Sequence, residues 1–557
     1  MAVRSFFHPV LVLLPVLVWY LYRKLSYRRY ERYKGLAMPR SPSLLFGHLE
    51  DIGKAMRAVG AMEDLDSRHP DYAFELLRKE AGNDGAVYLD MWPVEYPTVQ
   101  IWSHSLAEQI SKSTKLFKYS VDKSPTVHAF SDLIGKDSIF SVNGEEWKSL
   151  RKIFNSGFAP QHLMTLLASI VEKTGLFHAR LEELSKSGDI FELNELTTDL
   201  TFDIIGSVVL DTDMNAQDAT KETHPILVHL KRVLPLFDFH SIIEKVKPAH
   251  WVKLVKRGIL ANRVNSSVKA VIRQKFRELH SQTNGAHSND KGRSVLSLSL
   301  KGLTNLTPEL EENISAQIRT FLFAGHDTTS IALQWAFYFL YRHPDVRTTL
   351  VAELDSILGP DQSPTGSLQT ILDRGEDALS KLPFLSAVIK ETLRLYPPAS
   401  AARMAPPGSG MMLQLDNGTE VCIDGLIIYV VHQGIMRDPA VFGPDENEFR
   451  PARWMGNTDM SMAAGGLDVK EAVTEQIPAS AWRPFERGPR NCIGQELANL
   501  EAKTILASTV RGFEFEKVGL GQMENGKLVG GELYKKYCIT SRPCDNMRMK
   551  VKAVDKT

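Results

Sequence analysis

One stretch constrains the fold before any other: LTPELEENISAQIRTFLFAGHDTTSIALQWAFYFLYRHP, residues 306–344. Thr307 can cap a helix, and Pro308 suits its first position. Glu309, Glu311 and Glu312 complement the positive end of a helix dipole. The helical pattern runs to Tyr341 and stops before His343-Pro344, where a residue preceding proline leaves the helical region. The result is a helix of about 34 residues, about 50 Å long at 1.5 Å per residue. A globular helix of that length crosses a whole domain through its core. Its middle, AGHDTT, is unusual. Gly325 costs about 1 kcal/mol against Ala in a helix interior, and Thr328 and Thr329 can draw carbonyls out of the ladder. Taken alone, Ala324 and Gly325 read most simply as room for another element to pack close.

Helical patterns dominate elsewhere too. Residues 85–102 (GAVYLDMWPVEYPTVQIW) and 420–432 (EVCIDGLIIYVVH) read as strands, rich in Val, Ile and Tyr beside turn residues. ITSRPCDNMRMKVKAV near the C-terminus reads as a hairpin. The fold class is therefore mainly α with a minor β portion. GLAMPRSPSLLFGHLEDI reads as a stiff linker, because Pro39 and Pro42 cannot continue a helix. Loops are expected at 280–294, at 359–367 and between Trp454 and Trp482. There is no internal repeat.

The chain has 557 residues, with 66 Lys plus Arg against 66 Asp plus Glu. Nothing in that balance points to nucleic acid. The N-terminus is more telling. FFHPVLVLLPVLVWYLY, residues 6–22, is apolar apart from His8, and RKLSYRRYERYK follows it. Those bulky basic flanks do not look like a signal-peptide cleavage site. The expectation is a retained single-pass transmembrane anchor with its flank, residues 1–35, ahead of a catalytic domain, residues 36–557. Arg4 stands alone before the span, while Arg23, Lys24, Arg28, Arg29, Arg32 and Lys34 follow it. That asymmetry places the C-terminal bulk in the cytosol.

Cys492 lies in PFERGPRNCIGQELANLEAK, a loop of Gly, Pro and Arg running into a helical pattern. Four cysteines, at 422, 492, 538 and 544, form no CxxC pair and are too few for a disulfide scaffold. No histidine or cysteine stands at zinc-finger spacing from Cys492. A cysteine nucleophile would need a histidine base nearby in space, which sequence does not exclude. An inert thiol would not need Arg490 two residues before it, or glycines on both sides. An axial thiolate ligand to haem iron suits the loop. N–H groups at a helix start favour a negative sulfur, and Gly488 and Gly494 let backbone approach a flat macrocycle. Phe485 can pack on the loop, and Arg490 can pair with a haem propionate.

Three further segments are bland by themselves. Glu391 and Arg394 form an i, i+3 pair, but Glu75 and Arg78 share that spacing. The second copy is distinguished by LYPP directly after it and by Arg403 nine residues beyond Arg394. FRPARW places Arg453 among aromatics. Trp147 and Arg151, in EEWKSLRKIF, share a helix face, as an amphipathic helix with a snorkelling Arg would show.

Together these segments resemble the cytochrome P450 family. FERGPRNCIG is similar to its haem-binding signature Phe-x-x-Gly-x-Arg-x-Cys-x-Gly at all fixed positions: Phe485, Gly488, Arg490, Cys492 and Gly494. Trp147 and Arg151 resemble its propionate-binding Trp-x-x-x-Arg helix. AGHDTT resembles its oxygen-activation motif, and Glu391, Arg394 and Arg453 its structural Glu-Arg-Arg triad. MPRSPSLLFGHL is similar to its proline hinge. One departure is Met436, where many relatives have His. It reads as a packing variation.

The resemblance implies the P450 fold, a triangular helical prism with a long central helix and small sheets, and haem b with an axial Cys492 thiolate. It implies a monooxygenase in which Asp327 and Thr328 relay protons through water, with the helix distorted at Gly325. Trp147, Arg151 and Arg403 join the signature residues in binding the cofactor. Electrons are expected from a separate NADPH–cytochrome P450 reductase, with cytochrome b5 as a further donor. Its docking face is expected around Lys148, Lys152 and Arg487. The expected setting is the endoplasmic reticulum membrane, as a functional monomer. A lipophilic substrate would meet residues 119–140, residues 225–243, Phe321 to Ala324 and Ala399 to Ala402. HPDYAFELLRKE, YLDMWP and the Cys492 segment resemble filamentous-fungal members of secondary metabolism, of the versicolorin type. The alternatives are a reductase-independent haem-thiolate isomerase or dehydratase, against which Asp327 and Thr328 speak, and a membrane-tethered haem-binding protein without turnover.

Overall fold

The structure, a computed structural model, describes residues 4–60, 68–82, 85–237, 248–281, 293–456 and 477–554. The chain forms two compact units, each assembled from separate stretches of sequence. Parts of two expected loops and of the 225–243 segment lie outside the described residues.

The first unit comprises residues 1–124, 400–435 and 487–490. Its centre is a four-stranded sheet in the order Ala86–Leu89, Thr98–Ile101, Ile427–Val430, Ala401–Met404. The stretch read as strand over 85–102 divides into the first two strands, which pair antiparallel. The stretch expected as one strand over 420–432 divides. Glu420–Cys422 pairs with Met412–Gln414, and Ile427–Val430 runs parallel to Thr98–Ile101. Gly425 makes the break, at φ +73°, a conformation that favours glycine. The proline-rich linker docks on this sheet: Tyr88 N donates to Ala37 O at 2.8 Å, and His48 bridges the Arg40 carbonyl (2.7 Å) and the Asp90 amide (2.8 Å).

The expected transmembrane span lies partly outside the residues whose side chains the structure describes. A 26-residue helix does form, Arg4–Arg29, but no helix among the described residues is long and apolar enough to cross a membrane. Side chains from Leu14 to Tyr22 are nonetheless exposed, Trp19 to 62%. The helix ends on a tether. Arg29 donates to Ser43 O at 2.7 Å, lies 3.4 Å from Asp90 and covers the Trp92 ring.

The second unit comprises residues 125–399, 436–486 and 491–557. The central helix runs Pro308–Arg342, with Thr307 accepting the Leu310 amide as its cap, at the limits its sequence implied. It packs against helices Leu193–Leu210, Pro248–Ser281, Pro383–Leu395 and Gln495–Thr509. Ile331, Leu333 and Phe337 are buried along it, each contributing roughly 1.5–3 kcal/mol. Trp335 stacks on Tyr396 at 3.6 Å.

Two local expectations change here. The loop over 359–367 gives way at Ser363, which caps a helix beginning at Pro364. The C-terminal stretch is not one hairpin. Ser541–Pro543 pairs backwards with Lys535–Tyr537, and Arg548–Ala553 joins Phe513–Lys517 and Phe191–Glu192. Pairing choice follows which partner closes a sheet edge, and that is a tertiary matter.

Glu391 and Arg394 are fully buried and doubly bonded, at 2.8 and 2.9 Å. Arg453 and Trp454 also donate to the Glu391 carboxylate, each at 2.9 Å. Arg394 gathers the carbonyls of Met436, Glu446 and Glu448. Thus the triad is a peg that fixes the 436–454 segment. Met436 is buried, and its sulfur accepts the Arg483 amide at 3.4 Å.

Candidate active site around Cys492

In the second unit the Cys492 loop is fixed by backbone. The Cys492 amide donates to Phe485 O at 2.8 Å, closing a tight turn in which Glu486 has φ +59°. Arg483, fully buried, pairs with Glu486 at 2.8 Å. Phe485 packs near Trp482. Gly494 precedes the helix Gln495–Thr509, and a Cβ there would lie 3.9 Å from the Cys492 sulfur. Cys492 itself is exposed, a thiol presented outward at a helix start.

Arg151 stands on the helix Gly144–Phe154 beside buried Trp147. It donates to Asn491 O (2.7 Å), Asn491 Oδ1 (3.0 Å) and Asn155 Oδ1 (2.7 Å). The arginine thus grips the residue just before the cysteine, a link that no sequence spacing announces. Three of its five N–H donors are used, which leaves two for an anionic group. Burial lowers the Arg151 pKa, while the nearby Cys492 sulfur acts in the opposite direction.

The first unit carries the remainder of the signature. Gly488 has φ +74°, and a Cβ there would lie 2.0 Å from Ser111 O, so the position admits only glycine. Arg487 is held by Glu108 at 2.7 Å. Its place in the expected docking face is therefore reduced by an intramolecular pair. Arg490 and Arg403 are both buried. Asp122 feels both guanidinium charges, yet burial raises its pKa against them. This concentration of buried positive charge suits carboxylates such as haem propionates.

The central helix supplies a third element, in the second unit. It is buried through most of its middle, but Ala324 is exposed and Thr328 half-buried. An uncovered small residue in the middle of a core helix fits a flat macrocycle against that face. Thr328 Oγ1 donates to Ala324 O at 2.9 Å. The helix stays α through Gly325, which corrects the expected distortion. A Cβ on Gly325 would meet Ile205 Cδ1 at 2.6 Å, so its role is close packing. Phe323, Phe130 and Phe237 line up as an aromatic wall, with centroids 6.2 Å apart.

Asp327 does not point toward open space. It is buried, receives a hydrogen bond from Thr540, and pairs through Oδ1 with Arg542 at 2.5 Å. Burial alone would raise its pKa. The Arg542 charge and the hydrogen bonds from Thr540 and Arg542 outweigh that and hold it below the usual carboxylate range. His326 stacks on Phe202 at 3.9 Å and is kept neutral chiefly by burial. On the cysteine helix, buried Glu501 is pushed up to about 8 by desolvation, opposed by a hydrogen bond with Thr329. Sequence reading missed Thr540, Arg542, Asn491 and Glu501. Only Glu501 carried a local signal, a carboxylate within an otherwise apolar helix face.

The comparisons with known proteins agree with this geometry. A family model for Cytochrome P450 matches residues 55–529. The chain is 31% identical over 551 residues to cytochrome P450 monooxygenase polC of Polytolypa hystricis, covering 96% of this chain and 92% of that protein. It is 32% identical over 464 residues to cytochrome P450 monooxygenase acrF of Aspergillus aculeatus, covering 80% and 88%. The crystal structure of the cytochrome P450DA heme domain shares the fold, with a TM-score of 0.67 at 21% identity over 92% of this chain and 96% of that one. With Cys492 at the head of its helix and a motif set that fits haem as its cofactor, this chain belongs to the cytochrome P450 family.

Proposed function

We propose that this monooxygenase inserts one atom of O2 into a lipophilic small molecule, as a tailoring step in fungal secondary metabolism. Its electrons come from a separate NADPH–cytochrome P450 reductase. The observation that carries the reading is the exposed Cys492 thiol on a loop fixed by the Cys492 amide donating to the Phe485 carbonyl and by Arg151 through Asn491. Two fungal relatives named as monooxygenases support it. Haem would supply oxygen activation when bound, and Cys492 is the residue that would hold its iron, as thiolate.

The chain's own residues supply the rest. Arg403 and Arg490 offer charge for carboxylates of the cofactor. Trp147 is buried beside Arg151 and stiffens the helix that grips the loop. Thr328 presents a hydroxyl on the open side of the central helix, where it can exchange a proton with water. Phe130, Phe237 and Phe323 give the substrate an apolar wall. The exposed apolar side chains of the N-terminal helix support attachment to the endoplasmic reticulum membrane, with the catalytic part in the cytosol.

The test is co-expression with a reductase, with product analysis over candidate metabolites, for the wild type and for Cys492→Ser. The wild type should give an NADPH- and oxygen-dependent product and a thiolate-type carbon monoxide spectrum. Cys492→Ser should lose both. A product that forms without NADPH would overturn the reading in favour of an isomerase.

A further inference from the structure

The central helix carries an acid whose partners come from a part of the chain that bears no motif. Asp327 is 3% exposed, yet it is charged. An unpaired carboxylate at such a place takes up a proton instead of remaining ionised. What keeps it charged is the turn and strand around residues 540–543, more than 200 residues further along the chain: Thr540 donates to Oδ2 and Arg542 Nη2 to Oδ1 at 2.5 Å.

We propose that Arg542, assisted by Thr540, is a positioning residue for proton delivery: it holds Asp327 as an oriented anion beside Thr328, so that Asp327 accepts hydrogen bonds and Thr328 is the hydroxyl that exchanges protons. The proposal rests on the monooxygenase reading above and deepens it. It also replaces the expectation that Asp327 and Thr328 both relay protons. Both Asp327 oxygens are committed to the 540–543 segment, while Thr328 lies one residue further along the helix and half open. The same contact ties that segment to the helix, so movement of the strand would change the charge of the acid.

The groups facing Asp327 are few. Arg542 and Thr540 come from the strand and its turn, and Cys538 lies within electrostatic reach of Arg542. His326 comes from the same helix. The neighbouring helix Leu193–Leu210 presents Thr201, which bonds the His326 carbonyl. The cysteine helix presents Glu501, which is bonded to Thr329 and not to Asp327. Removing the Arg542 charge therefore leaves, among the described residues, only the buried, neutral His326 imidazole beside Asp327. The contact is a single N–H to oxygen, which a lysine ammonium can also make.

The experiment compares Arg542→Gln, Arg542→Lys and Asp327→Asn/Arg542→Gln, all built on Glu501→Gln so that the buried carboxyl pushed up to about 8 is silent. The first readout is infrared difference spectroscopy of the ferric, haem-loaded protein titrated through the neutral range. The Arg542→Gln protein should gain a protonated-carboxyl carbonyl band that titrates, the Arg542→Lys protein should not, and the double variant should lack it. The second readout is the pH profile of product formed per NADPH consumed. It should gain an ionisation in Arg542→Gln that lysine removes. Should Arg542→Gln fold too poorly to study, Thr540→Val serves, with a smaller shift in the same direction. A silent infrared region together with an unchanged pH profile overturns the proposal. So does an equal loss of stability in the glutamine and lysine variants without any pH effect, which would make the pair structural only. The monooxygenase reading fails separately, through a wild-type carbon monoxide spectrum without the thiolate band, and the infrared result does not depend on it.

Discussion

Arg151 donates two hydrogen bonds to Asn491, one to its carbonyl at 2.7 Å and one to its side chain at 3.0 Å, across 340 residues of sequence. The residue it holds is the one before Cys492, so the helix Gly144–Phe154 sets the direction in which the sulfur leaves the loop. Sequence alone assigned Arg151 to the cofactor. In the fold it first serves the ligand loop, and only its remaining donors face outward.

Replacing Arg151 with Ala should therefore loosen the thiolate and not just the cofactor. Hydrogen bonds to a charged group are worth ~1.5–3 kcal/mol each. The expected result is faster haem loss and a shift of the carbon monoxide band from the thiolate form to the inactive form. Arg151→Lys should recover it only in part, since an ammonium lacks the planar fork. An unshifted band in Arg151→Ala would mean the loop holds itself.

Glu391 accepts from Arg394, Arg453, Trp454 and the Arg450 amide. Glu391→Gln leaves the fully buried Arg394 guanidinium without its counter-charge, while Arg453 retains Asp445. Breaking a buried pair from one side costs about 3–5 kcal/mol. The variant should accumulate as haem-free, protease-sensitive protein, whereas Met436→Leu, an apolar exchange at a buried site, should unfold close to wild type. Chemical denaturation compares the two.

Glu501 gives a pH signature. Its folded pKa, about 8, lies above the ordinary carboxyl value of 4.5. The native state therefore binds the proton more tightly than the unfolded chain does. Stability from this group is complete below pH 4.5, falls by roughly 1.4 kcal/mol per pH unit at most as the pH rises, and levels off above about 8. Glu501→Gln should remove that slope. Denaturation midpoints at several pH values for both proteins measure it, and parallel curves would place the titration elsewhere.

Lys148 and Lys152 are exposed one turn apart on the helix that holds the cysteine loop. Reversing both to Glu should raise the reductase concentration needed for half-maximal turnover several-fold at low salt. The difference should shrink at high salt, as screening demands, with the carbon monoxide spectrum unchanged. Equal reductase dependence at low salt would move the docking face away from these lysines.

Much of this was legible in the residue order. The limits of the central helix followed from Thr307-Pro308 and His343-Pro344, because caps and proline act within a few residues. Strand character over 85–102 followed from Val, Ile and Tyr beside turn residues, whereas the pairing did not. The ligand loop followed from Phe485, Gly488, Arg490, Cys492 and Gly494, which lie together in the chain.

The sequence by itself determined which side chains could do chemistry and which segments would be helical, because periodicity, caps and close-spaced motifs are short-range. Only the tertiary structure decided how the buried charges were shared out: Asp327 to Arg542 across 215 residues, Arg151 to Asn491, and Arg394 to the carbonyls of 436–448. A buried charge must find a partner wherever the closed chain brings one. That choice depends on distance in space, which the order of residues does not contain.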